Sequence, residues 1–243
     1  DADPTAIARA ASRLEPFGNR VALKTANFAA MSDVARAAGF SNASGVLMDL
    51  GFSSTQIDDP RRGFSFQTKG PLDMRFDQQS GLPARDVIAR MNEKELADVI
   101  YQFGDERKSR RIARYIVQRR EKAPFETTTD LAETVARAIR PNRGRIHPAT
   151  RTFQALRLYV NHELENIPLG LEAALEILVA GGRLVVLSFH SLEDRIVKNF
   201  IRDRHREGTL RALTPKPLRP DEDECRSNPR SRSARFRAAE IVG

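Results

Sequence analysis

Apolar residues return at helical spacing along most of this chain and at strand spacing in only a few places. Over residues 3–14, Ile7, Ala10, Ala11 and Leu14 share one side, and Pro4 suits a first helical turn. Arg20 to Thr25 reads as a short strand with Phe28 at its end. Met31, Val34, Ala35 and Ala38 then repeat helically, and Gly39 is a stop signal. Gly45-Val46-Leu47-Met48 is apolar enough for a strand buried on both faces, and it ends in Asp49. This strand–helix–strand rhythm predicts an α/β fold with a parallel sheet and helices on its faces.

The period changes near Pro83. Asn92 to Glu95 is a capping-type start before Leu96, Val99, Ile100 and Phe103. Residues 105–122 form a strongly basic helix with Ile112, Ile116 and Val117 inward. Thr127 to Asp130 caps a further helix carrying Leu131, Val135 and Ile139. Nothing from 83 to 145 reads as a strand, so an all-helical insert is expected there, between first and second parts of an α/β domain at 1–82 and 146–243. Beyond the basic linker Arg140–Pro148, Phe153, Leu156, Val160 and Leu164 mark a helix that includes Asn161 and His162. Another runs from about Pro168 to Val179, and Arg183 to Phe189 is a buried strand. Ser191 with Asp194 caps the next helix, and residues 215–228 separate two candidate edge strands.

Composition narrows the function. The 243 residues carry 40 Lys and Arg against 32 Asp and Glu, a net charge of +8, which favours polyanions. No apolar run approaches the roughly 18 residues of a membrane span, and no signal peptide is visible. The lone Cys225 cannot form an internal disulfide, which fits a reducing, cytoplasmic setting. Four scattered His and one Cys show no metal-ligand spacing, and no GxSxG elbow is present.

The stretch Gly45–Asp77 combines an acidic residue at a strand end, where open α/β sheets bind ligands, with a long aperiodic loop. Its DLGFSSTQIDDPRRGFSF and GPLDMRFD resemble the signature of the ribosomal RNA small subunit methyltransferase H family, the MraW methylases. Further matches follow in order at 147–164 (HPATRTFQALRLYVNHEL), 181–200 (GGRLVVLSFHSLEDRIVKNF) and 228–240 (NPRSRSARFRAAE). The resemblance implies a class I, Rossmann-like methyltransferase with a helical insert. It would use S-adenosylmethionine to form N4-methylcytidine in the decoding region of 16S rRNA, with the small ribosomal subunit as partner. The family's GxGGHS-type cofactor loop has no counterpart here, and Asp1-Ala2-Asp3-Pro4 resembles the acidic DxDP that ends its second strand. The expectation is a chain without the first strand, glycine loop and first helix, less stable, and able to form a homodimer through an exposed sheet edge. Two rival readings are a catalytically impaired RNA-binding or assembly factor, and a DNA amino-methyltransferase. The missing Pro-Pro-aromatic motif argues against the latter.

By the resemblance, Asp1, Phe28, Asp49 and Gln56 match cofactor-binding positions; without it, Asp1 reads as a terminal residue and Phe28 as plain core. Asp49, or a carbonyl from Leu50 to Ser53, is the candidate acceptor for the cytosine amine. Asp73 and Arg75 either read the cytosine edge or staple their own loop, and His190 either touches the target nucleotide or sits satisfied at a helix start. Phosphate contacts are assigned to Arg110 and Arg111 on the basic helix, Arg143 and Arg145 in the linker, and Arg232 in the tail from Arg226 to Arg237. Aromatics are sparse and Trp is absent, which disfavours an extended stacking platform.

Overall fold

The computed structural model describes residues 1–140 and 146–243. They form a mixed α/β protein that divides into two compact units, one of residues 1–51 with 164–243, the other of residues 52–163. The second unit, residues 52–163, begins earlier and ends later than the 83–145 expected from the hydrophobic period. The reason is that Phe64, Leu72 and Met74 from the loop, and Phe153 and Leu156 from beyond the linker, belong to its core.

The first unit holds helices α1 (Pro4–Leu14) and α2 (Met31–Ala37), strand β1 (Ala43–Asp49) and all but the first residue of α9 (Glu163–Ile177). Strand β2 (Leu178–Ser188), helix α10 (Ser191–Arg206), strand β3 (Leu210–Ala212), helix α11 (Glu222–Ser227) and strand β4 (Arg235–Ile241) complete it. The sheet runs β1-β2-β4-β3. Only β1 and β2 are parallel, pairing Val46 with Leu184 and Met48 with Val186; β4 is antiparallel to both β2 and β3. Three strand expectations are therefore corrected. Arg20 to Thr25 forms no strand, because a strand exists only within a ladder and no strand of this sheet pairs with it. The last strand is internal rather than an edge, since β2 and β3 flank it. And β1 is an edge strand buried on one face only: Val46 and Met48 pack inward beside Leu184, Val186, Ile167 and Leu171, whereas Leu47 is 66% exposed.

Close packing behind β1 depends on a missing side chain. A Cβ at Gly170 of α9 would lie 2.4 Å from the Phe28 ring and 3.1 Å from Met48, so glycine lets the helix approach both.

The second unit contains α3 (Ser54–Asp58), α4 (Ala84–Arg90), α5 (Glu93–Gly104), α6 (Ser109–Arg120), α7 (Thr128–Ile139) and α8 (Thr150–Val160). Its extended pairing among the described residues is an isolated bridge between Pro71 and Thr127. Asn92 and Glu95 form the expected capping box of α5, and Thr127 caps α7 by accepting from Asp130 N. The 150–177 region is two helices, so Asn161 and His162 are not inside one. Asn161 is the C-cap of α8, and His162 has a left-handed φ of 51°. The core is drawn from every one of α4 to α8, including Ile88, Leu96, Ile100, Ile112, Leu131 and Leu156.

Truncating Met48, 4% exposed, to Ala is expected to cost about 2–5 kcal/mol, and Leu47→Ala well under half of that. Chemical denaturation of both variants checks which face of β1 carries the packing.

Candidate active site

In the first unit the carboxyl ends of β1 and β2 lie side by side, as their parallel pairing through Asp49 and Leu187 requires. Past Asp49 the chain turns at Gly51, φ 89°. Past Ser188 it enters α10 through a capping box centred one residue earlier than the sequence suggests. His190, not Ser191, is the N-cap: its Nδ1 accepts from Glu193 N at 3.3 Å, while a Glu193 carboxylate oxygen accepts from Phe189 N at 2.8 Å and His190 N at 3.2 Å. An accepting Nδ1 leaves the ring proton on Nε2, which faces the other Glu193 oxygen at 3.1 Å. Both ring nitrogens are thus turned into the helix's own first turn.

Glu193 is 1% exposed, and one of its oxygens lies 3.8 Å from where a Cβ on Gly51 would stand. Partial desolvation first, and then the negative charge of Glu193, raise the Asp49 pKa above its ordinary value. Asp49 as a residue remains open to solvent, so a ligand can reach it. Asp194, expected as the cap partner, instead binds Arg237 at 2.6 and 3.3 Å and Arg235 at 3.5 Å.

The other two first-unit candidates are committed to local structure. The Asp1 carboxylate accepts from Asp3 N at 2.8 Å, and buried Asp3 caps α1 by accepting from Thr5 N and Thr5 Oγ1. Phe28 opens a short 3₁₀ turn capped by Asn27 and packs on the core behind β1.

In the second unit the long loop after β1 is built, not slack. Phe52, Phe64 and Phe76 stack in series, each neighbouring pair 5.6 Å apart between ring centres. Arg157, in α8's last turn, lies 4.4 Å over the Phe52 ring and donates two hydrogen bonds to Glu163, at 2.7 and 3.1 Å. Buried Arg62 donates to the carbonyls of Arg75 and Phe76 at 3.0 and 2.7 Å. Asn161 accepts from Phe76 N and donates to Met74 O, closing the loop onto α8. Glycine permits the doubling back: a Cβ at Gly63 would meet Pro71 O at 2.2 Å, and one at Gly70 would meet Pro60 O at 1.9 Å.

Asp73 and Arg75 form a two-bond pair at 2.8 and 2.9 Å across Met74, whose φ is 67°. Arg75 also donates to Gly81 O at 3.2 Å. Burial alone would raise the Asp73 pKa, but the Arg75 side-chain and backbone hydrogen bonds and its charge, with help from Gln78, leave it lowered. Gln56, buried on α3, accepts from Ser53 N at 2.8 Å in a reciprocal cap. Arg62, Arg157, Glu163 and Glu193 build these turns without standing out in the sequence pattern, and Asn161 ties the loop to α8 rather than packing inside a helix. Glu193 was accessible, since three residues after His190 is a capping-box position.

Among the cationic candidates, Arg110 and Arg111 are exposed on α6, and Arg232 is exposed before β4. Arg143 and Arg145 lie outside the described residues. Part of the α6 run and of the tail is structural: Arg119 pairs with Asp130, Arg120 donates to the Ile88 and Met91 carbonyls, and Arg235 and Arg237 are spent on Asp194. Arg75 is likewise spoken for. Among the described residues no group of three or more metal-binding side chains occurs, and no helix is long and apolar enough to cross a membrane.

Fold and strand-end chemistry together define an α/β protein with an acidic site at the carboxyl ends of its parallel strands. A sequence model of the MraW methylase family matches residues 1–242, and the chain belongs to that family. It is 50% identical over 258 residues to the ribosomal RNA small subunit methyltransferase H of Thermomicrobium roseum, covering 100% of this chain and 79% of that protein. Identity is also 50% to the proteins of the same name from Bradyrhizobium diazoefficiens, over 99% of this chain and 77% of that one, and Syntrophobacter fumaroxidans, over 100% and 82%.

Two outcomes are expected. Glu193→Gln lowers the Asp49 pKa toward its ordinary value, because a neighbouring negative charge is gone; carboxyl carbon NMR titration reads it. Asp73 has a lowered folded pKa, so its stabilisation is present above the unfolded carboxylate pKa and fades as pH falls through the folded one. Asp73→Asn therefore costs roughly 1–3 kcal/mol at neutral pH and much less in acid, measured by denaturation across pH.

Proposed function

We propose that the chain is an S-adenosylmethionine-dependent methyltransferase that places a methyl group on N4 of a cytidine in the decoding region of 16S rRNA, within the small ribosomal subunit. The observation that carries this is the match of the family along residues 1–242, together with an open carboxylate, Asp49, at the strand end where such folds hold nucleoside ligands. In this reading the second unit is the family's helical insert, and the setting is cytoplasmic.

The residues fit the cofactor's chemistry. Asp49 offers an anion to an ammonium or an adenine amine, and the left-handed turn at Gly51 leaves no side chain between Asp49 and the Glu193 side. Phe28 presents an aromatic body beside the same strand. Gln56 is held in one orientation by its reciprocal cap. When bound, S-adenosylmethionine supplies an electrophilic methyl group on a sulfonium.

The protein's task is then at the cytosine. The exocyclic nitrogen is a poor nucleophile because its lone pair is delocalised into the ring. Acceptors that bind the amine protons localise that pair, and a fixed geometry aligns it. Carbonyls from Leu50 to Ser53, or the Asp49 carboxylate, are the acceptors assigned here. Exposed Arg110, Arg111 and Arg232 hold phosphates, with Arg143 and Arg145 assigned the same role. Asp73 and Arg75 staple their own loop, the second of the two roles open to them.

Incubation with labelled S-adenosylmethionine and small subunits lacking the modification, followed by mass spectrometry of nucleosides, should give N4-methylcytidine. Asp49→Ala should lower the yield by about tenfold or more; label on another nucleoside, or none, would refute the reading.

A further inference from the structure

A half-open cavity of about 200 Å³ lies in the second unit, lined by Phe66, Thr129, Ala132, Glu133, Ala136 and His147. One wall is a single face of α7: positions 129, 132, 133 and 136 recur at helical spacing, with methyl groups at 132 and 136. The facing wall is aromatic. Phe66 packs edge-on against core residue Phe153, ring centres 4.8 Å apart, and His147 lies against Phe66 at 4.6 Å with a 32° tilt.

This aromatic wall is fixed before any ligand arrives. The His147 ring is set by Ala149 N, which donates to Nδ1 at 3.2 Å, so Nε2 carries the ring proton. His147 itself is exposed, and Phe66 half-buried. The rim is polar on one side only. Glu133 and Arg137 form an exposed i,i+4 pair at 3.2 Å, and the Thr129 hydroxyl meets Thr127 Oγ1 at 3.3 Å. Surface pairs of this kind are weak and exchange easily.

We propose that this cavity is a second nucleic-acid subsite, taking one unstacked base of single-stranded RNA between the aromatic wall and the α7 face. Flat apolar walls and a polar rim suit a heteroaromatic ring, and base–aromatic stacking tolerates any base. Glu133 accepts from an exocyclic amine, so the subsite favours cytosine, adenine or guanine over uracil. Arg137, released from Glu133, is placed for the adjoining phosphate. The subsite rests on the RNA-substrate reading above but uses none of its catalytic residues. It would hold the RNA strand by a base other than the one methylated.

The test uses the full chain and fluorescently labelled oligocytidylate, oligoadenylate and oligouridylate, read by anisotropy over a salt series. His147→Ala and Ala136→Phe should each weaken oligocytidylate and oligoadenylate binding about fivefold or more. They should leave the slope of affinity against salt unchanged, because no phosphate contact is lost. Glu133→Gln should narrow the preference over oligouridylate. Exposed His147 is the safeguard if Ala136→Phe unfolds the protein. Unchanged affinity in His147→Ala overturns the proposal, and so does a loss that comes with a shallower salt slope. Failure of methyl transfer to subunits would sink the enzyme reading while leaving these binding measurements interpretable.

Discussion

A charge taken out of water has to be matched where it is buried, and each unit of this protein is organised around such matches. In the first unit Glu193 is matched by two backbone N–H groups, with the His190 ring beside it, and Arg237 by Asp194. These four side chains fix how β2 and β4 meet the start of α10. In the second unit Arg157 meets Glu163, and Arg62 meets two carbonyls of the 73–77 loop. Removing one member would leave the other stranded at a cost above the worth of the pair. That is why the loop between α3 and α4 holds one shape with little regular structure of its own.

The same constraint separates what charge does for fold from what it does for function. Counted by residue, the chain offers arginines along α6 and before β4 as if all faced RNA. Built in space, Arg119, Arg120, Arg235 and Arg237 serve helix ends and a strand, and Arg110, Arg111 and Arg232 remain on the surface. Asp49 is the opposite case, a carboxylate at a strand end left open to a ligand, its pKa raised by partial desolvation first and then by the Glu193 charge.

Local chemistry was readable from the chain where it is decided locally. Asn92 with Glu95, and Thr127, cap helices and Pro4 opens α1 as their spacing indicates. The acidic end of β1 stood out for the same reason. What depends on partners distant in sequence was not readable. Residues 20–25 look like a strand yet find no ladder, Leu47 looks buried yet faces outward, and the final strand looks like an edge yet lies between two others. His190 illustrates the boundary: its place after a strand was visible, but its tautomer and its bond to Glu193 emerge only from the turn it closes.

The parallel pairing of β1 with β2 carries a kinetic consequence. Val46 waits for Leu184, and the whole second unit lies between them in the chain. Contacts this distant in sequence form slowly, because loop closure precedes any reward. During synthesis the helices from α4 to α8, linked by short connections, are complete before β2 emerges. Until then Val46 and Met48 wait for Leu184 and Val186, the residues of β2 they pair with. The order of emergence therefore makes the first unit, which carries Asp49, the last part of this protein to become native.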